Sequence, residues 1–182
     1  YKMSYEDYLK AKKNEKDSTI VEIQLTTDGQ EDFGYGIPRN VLNTDTICNG
    51  KRRGVYGLWS PDSRHFVMTV SDNRAVKPLW VINVMAQPRP TLETYKYQMP
   101  GEKEAPIVHT YLFDMQNNTR KEIKTAAYKD QTLGIEYKPY EQKQRDMEEV
   151  ADIWLGDNER FFLTRSSRDL YRIDVCTYTV GQ

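Results

Sequence analysis

Apolar residues in this chain fall mostly in short alternating runs, the period of half-buried strands. Residues 4–16, SYEDYLKAKKNEK, are the exception. There Tyr5, Tyr8 and Leu9 can share a helical face, Ser4 can cap, and the lysines gather towards the end that the dipole favours. Thr19 to Leu25 alternates and runs into Thr27-Asp28-Gly29, which predicts a strand ending in a turn. Residues 31–54 hold Gly34, Gly36, Pro38 and Gly50 without a period, so they predict a long connection. Residues 55–70, VYGLWSPDSRHFVMTV, place two β-rich runs around Ser60-Pro61-Asp62-Ser63. Pro presets φ, and Asp and Ser bond their own backbone, so the stretch predicts a hairpin.

Pro78 to Val84 (PLWVINV) predicts a further strand. Pro88, Pro90, Pro100, Pro106 and Gly101 then take residues 86–106 out of any central sheet. Within that stretch Tyr95, Tyr97 and Met99 alternate with Lys96 and Gln98, as in a two-stranded arm, while Leu92 is out of phase. A lone ribbon is marginal in water, so its aromatic face needs cover. Ile107 to Met115 resumes a strand, Gln116 to Thr119 is a turn, and Arg120 to Lys124 leads out of it. The charged residues 138–150 read as helix or loop. Ile153 to Leu163 is a second Trp-led hairpin, and Leu170 to Val175 is the next strand.

The two hairpins repeat one plan. Aligning LWSPDSRHF with IWLGDNERF matches Trp59 with Trp154, Asp62 with Asp157, and Phe66 with Phe161. Each is followed by a strand, LWVINV in one copy and LYRIDV in the other. Strand, turn, strand, connection, strand is the plan of a propeller blade. The tryptophans stand about 95 residues apart, too far for one plain blade. The arm and the charged 138–150 segment account for the excess. The reading is an all-β chain: a helical segment at 1–17, then a partial β-propeller of two to three blades over 18–182. Its blade-like units are 18–54, 55–125 and 126–182, with the arm at 86–106. In this reading both tryptophans face the core between blades. Two coincidental hairpins in a sandwich are the competing arrangement.

Composition narrows the function. A formal charge of −1 and a pI near 6.2 give no field that draws nucleic acid. The apolar runs are far too short to span a membrane. Mean hydropathy of −0.80 with 38% apolar residues describes a polar chain that can still build a core. Cys48 and Cys176 read as small hydrophobes, buried or half-buried. His65 and His109 lack metal-ligand neighbours at useful spacing, so no metal or cofactor is expected. No Ser stands in G-x-S-x-G, and no βαβ alternation supplies a hydrolase sheet. Gly34-Tyr35-Gly36 lacks the Lys of a phosphate loop. Lys51-Arg52-Arg53 reads as surface, and Asp28, Asp62 and Asp157 as turn residues.

GLWSPDSRHFVMTVSD, then PLWVIN, then PRPTLETYKYQMPGEKEAPIVHTYLFDM resembles the N-terminal propeller of dipeptidyl peptidase IV, within the prolyl oligopeptidase family of serine peptidases. Tyr95, Tyr97, Pro100, Gly101, Pro106 and Asp114 carry the match, which extends over roughly residues 18–180. The resemblance implies a non-catalytic part of a larger, periplasmic or extracellular peptidase. Its Ser-Asp-His triad would lie on a separate C-terminal α/β-hydrolase domain, and its partners would be a peptide substrate and a second copy of the chain. It also implies that the arm, through Tyr95, Tyr97 and Met99, serves in dimer assembly; the competing arrangement has the arm folded back on its own blade. The family holds the substrate's free amine on a Glu-Glu pair shortly before a WSP hairpin. The matching segment here, TDTICNGKRRGVY, has no Glu. Glu148-Glu149, before the second Trp hairpin, is the candidate substitute pair; the competing reading, which the residues favour, is a solvated charged face, since consecutive helical residues do not share a face. The alternative is a TolB-like binding propeller with no peptidase attached.

Overall fold

The computed structural model describes residues 1–35, 55, 57–125, 127–135, 154 and 157–181. The one helix in these residues, α1, spans Tyr5–Lys13. Ser4 caps it by accepting from the Asp7 N–H at 3.0 Å, and Asn14 ends it. Glu6 and Asp7 sit in its first turn and Lys10, Lys12 and Lys13 in its last, as the helix dipole favours. The strand expected at Thr19–Leu25 does not form. That stretch contributes a single bridge, Lys2 with Ile23, and Val21 is exposed. Alternation alone makes no strand where no ladder runs beside it.

The strands are β1 (Leu58–Trp59), β2 (His65–Asp72), β3 (Pro78–Asn83), β4 (Thr91–Lys96), β5 (Ile107–Asp114), β6 (Thr119–Ile123), β7 (Thr132–Ile135), β8 (Arg160–Ser166) and β9 (Ile173–Thr179). They form three antiparallel sheets, ordered β1-β2-β5-β6, β3-β4 and β7-β8-β9. The arrangement is open and propeller-like.

The WSPD turn is built as its residue types predict. The Ser60 N–H donates to the His65 carbonyl at 2.8 Å, and the His65 N–H donates back to Ser60 Oγ at 2.8 Å. Ser60 Oγ donates to Asp62 Oδ1 at 2.6 Å, and that oxygen also accepts from the Arg64 N–H at 3.0 Å. These bonds, from Ser60 first and then Arg64, hold the Asp62 carboxyl below its ordinary pKa. Ser63 takes the left-handed backbone, at φ 59°.

One strand assignment is corrected. LWVINV does not follow β2 in the blade-like sheet. It is β3, and it pairs with β4 from the Pro-rich stretch. IVHTYLFD, β5, takes the place beside β2, from His65 opposite Asp114 to Asp72 opposite Ile107. A strand of a sheet covered on both faces is apolar on both. β5 is such a strand, with Leu112 buried on one face and Tyr111 and Phe113 on the other. β3 is apolar on both faces as well, but in its pairing with β4 it leaves Trp80 and Ile82 exposed on one of them. β4 forms because the prolines flank it and none lies inside it.

Two apolar clusters lie on opposite faces of the first sheet. Val67, Leu112 and Ile123 meet Trp154, Phe161 and Leu163, forming a seam with β7-β8-β9. The buried Thr110 crosses this seam, its Oγ1 donating to the Leu133 carbonyl at 3.4 Å. Phe66, Met68, Val70, Tyr111 and Phe113 pack instead on Phe33, with Leu25 and Tyr35 alongside.

Candidate functional site: the seam and a projecting arm

The seam shows how the Trp hairpins are used. Trp59 pairs with Phe66, and Trp154 pairs with Phe161, at the same register step. Their ring centroids are 5.0 Å apart in both cases, at interplanar angles of 54° and 57°. Trp154 packs in the seam against the first sheet and is 0% exposed; Trp59 stacks on Phe66 and is 51% exposed. The expectation that both rings are buried between sheets is therefore corrected for Trp59. The cluster on the face of Phe66 is covered by Leu25, Phe33, Tyr35 and Met115, whereas a whole sheet covers Trp154.

Asp62 and Asp157 both serve as turn residues. Asp157 Oδ1 accepts from the N–H groups of Glu159 and Arg160, at 2.9 and 2.7 Å. The two turns also touch, since Asn158 Oδ1 accepts from the Asp62 N–H at 3.0 Å. Ile135 sits opposite Leu163 and Trp154 opposite Phe161, so β7 and Trp154 share one strand line although residues 136–153 intervene. The N-terminal segment is clamped by Arg120, which binds Asp28 through two bonds of 2.8 and 3.0 Å. Arg120 also lies over the Tyr111 ring, 4.8 Å from its centroid. The Arg120 guanidinium holds the Asp28 carboxyl below its ordinary pKa. Burial, and then the bond to Asp28, raise the pKa of Tyr35.

The second feature is the β3-β4 ribbon, inserted between β2 and β5. Asn83 Nδ2 donates to Glu93 Oε1 at 2.8 Å near its tip. At its base Lys96 Nζ donates to the Val76 carbonyl at 2.8 Å. Leu79 pairs with Tyr95 on one face, and Tyr95 meets Tyr97 edge to face at 6.0 Å. Tyr95 is half-buried, while Tyr97 and Met99 are exposed. The opposite face carries Trp80, Ile82 and Leu92, exposed by 66%, 67% and 64%. Sequence reasoning missed these three. It assigned PLWVIN to the blade, so although Leu92 does lie out of phase with Tyr95, its place directly opposite Ile82 went unread. Pairing the Pro-rich stretch with PLWVIN would have found them.

Among the described residues no group of His, Cys, Asp and Glu could hold a metal ion. His109 Nδ1 lies 2.6 Å from Glu122 Oε1, and His65 stacks on Trp154 with centroids 6.1 Å apart. Cys176 is a free thiol on β9, opposite Leu163. Glu148, Glu149, Cys48 and Lys51-Arg52-Arg53 lie outside the described residues. No described helix is long and apolar enough to cross a membrane.

Antiparallel sheets stacked face to face, each led by a Trp at the same register, define a propeller-type domain. The chain belongs to the family described as the dipeptidyl peptidase IV (DPP IV) N-terminal region, whose profile matches residues 8–182. Its fold is similar to that of a putative dipeptidyl aminopeptidase IV from Bacteroides ovatus, with a TM-score of 0.58 and 14% identity over 90% of this chain and 19% of that one. It is likewise similar to dipeptidyl peptidase 4 of Porphyromonas gingivalis, with a TM-score of 0.59 and 18% identity over 87% of this chain and 20% of that one. The chain thus spans about a fifth of the length of either structure. A search of curated proteins finds no match.

Proposed function

We propose that this chain is the non-catalytic propeller portion of a dipeptidyl peptidase IV-like serine peptidase acting outside the cytoplasm. Its work is substrate access, anchoring and assembly, while a hydrolase domain elsewhere in the parent performs acyl transfer. The observation that carries this reading is the ribbon between β2 and β5, in a chain whose family is DPP IV N-terminal. A plain binding blade joins these strands by a short turn. The two larger sheets support blade units at 55–125 and 126–182. The exposed Ile173 and Val175 on β9 support a further blade packed beyond them.

The test is hydrolysis of chromogenic dipeptide substrates. The full-length parent is expected to turn them over and to be blocked by a fluorophosphonate, while residues 1–182 alone show no turnover. In the same assay Glu148→Gln with Glu149→Gln is expected to raise KM, as loss of two charge-assisted bonds to a substrate ammonium would. Serine-dependent turnover by the isolated chain would defeat the reading. A parent gene without G-x-S-x-G would favour the binding propeller.

The arm's part in this reading is assembly with a second copy. Trp80, Ile82 and Leu92 contribute one face, Tyr95 the other, with the exposed Tyr97 and Met99 just beyond it, and exposed apolar surface of this kind marks interaction sites. Light scattering on the parent is expected to show a lower mass for Tyr95→Ser with Tyr97→Ser, and for Trp80→Ser with Ile82→Ser. An unchanged mass in both folded variants removes the assembly role.

A further inference from the structure

The arm has a second point of attachment, far from the sheet that carries it. Arg168 lies in the β8–β9 turn, in the other large sheet. Its Nη1 donates to the Lys103 carbonyl at 2.6 Å and to Asp130 Oδ2 at 3.2 Å, and its Nη2 donates to the Glu102 carbonyl. Three segments distant in sequence therefore meet on one guanidinium: the arm's return leg, the β6–β7 connection, and the β8–β9 turn. Each end is held in place locally. The Ser167 turn repeats the Ser60 turn, with Ser167 Oγ donating to Asp169 Oδ1 at 2.6 Å and Leu170 in the left-handed region at φ 59°. The return leg turns at Gly101, where φ is +85°, and the Glu102 N–H donates to the Met99 carbonyl at 3.1 Å. Glu102 Oε2 accepts from the Met99 N–H at 3.0 Å.

We infer that Arg168 is the positioning residue that fixes the arm's direction, by latching its return leg to the second large sheet. A two-stranded ribbon does not hold its own orientation. The contacts of Lys96 tie this one to its own outgoing leg and the N-terminal segment: the Val76 carbonyl at 2.8 Å, the Arg74 carbonyl at 3.4 Å and Asp32 at 3.6 Å. With Arg168 the ribbon is held at a second point, on the other large sheet, which removes a swing about the first. The planar fork suits this task, because its donors reach two successive carbonyls and a carboxylate together. The inference is independent of the peptidase reading; a binding propeller would need the same latch.

Hydrogen exchange on the whole chain tests it. In Arg168→Ala the amides of Met99 and Glu102 are expected to exchange about tenfold faster, with β2 and β5 unchanged, as local opening becomes easier. Arg168→Lys keeps the charge but loses the fork, and is expected to recover only part of the protection. Asp130→Asn, which leaves both carbonyl contacts in place, gives a smaller loosening of the same amides and serves if Arg168→Ala does not fold. Unchanged protection at Met99 and Glu102 in a folded Arg168→Ala, or in Asp130→Asn, overturns the latch. Protection lost equally through β7, β8 and β9 overturns it too, since Arg168 would then only support its own sheet.

Discussion

Replacing Trp154 by Ala is expected to destabilise the chain by about 3–5 kcal/mol, the range for emptying a buried aromatic site. The ring is fully buried in the seam, against Phe161 and His65. Its removal would open a void shared by both large sheets, and neither can close it without giving up pairing. Trp59→Ala is expected to cost about 1–2 kcal/mol, because half of that ring already meets water and only part of its burial is lost. Urea denaturation of the two variants separates the cases. Equal losses would mean that the open face of Trp59 is covered in solution.

Acid is expected to remove about 2–3 kcal/mol through Asp114 alone, the worth of a carboxyl displaced by about two pKa units. Burial would raise this carboxyl, but it is outweighed by hydrogen bonds from the Asn117 N–H and side chain, the Gln116 N–H and Arg64, which lower it to about 2. The folded value lies below the unfolded one, near 3.9. The contribution is therefore complete at pH above about 4 and fades as the pH falls through about 2. Other turn and ion-pair carboxylates, Asp62 and Asp157 among them, are lowered as well and act in the same direction. Asp114→Asn is expected to weaken the chain at neutral pH and to flatten the stability curve between about pH 4 and 2. A variant curve parallel to that of the wild type would show that the Asp114 bonds do not persist in solution.

The sequence showed the hairpins best, because their information is local. Ser60, Asp62 and Asp157 bond their own turns, and residues that act over a few positions can be read over a few positions. The strand alternation of 65–72 and 107–114 was equally plain. What escaped was pairing. Nothing within PLWVIN says whether it lies beside His65–Asp72 or beside Thr91–Lys96. That choice rests on which strand can bury both faces, a property of neighbours distant in sequence. Thr19–Leu25 failed for the same reason in reverse, with the right period and no partner strand. The exposed apolar face of the arm followed from the pairing and was lost with it. Arg168 carried no signal at all, since a surface arginine in a turn looks alike whether or not it meets carbonyls from elsewhere. Its Ser-x-Asp surroundings, repeating those of Ser60, were the only clue to a defined turn.

The direct pairing of Asp72 with Ile107 bears on how such a chain can change over time. The ends of the arm are already neighbours in the first sheet, so the sheet does not register how many residues run between them. Closing a loop twice as long costs only about 0.6 kcal/mol more. Insertions, deletions or wholesale exchange between residues 73 and 106 would thus leave the eight-residue β2 ladder intact. As far as the first sheet is concerned the arm is free to diverge, and the residues that receive its base are where drift would be held in check.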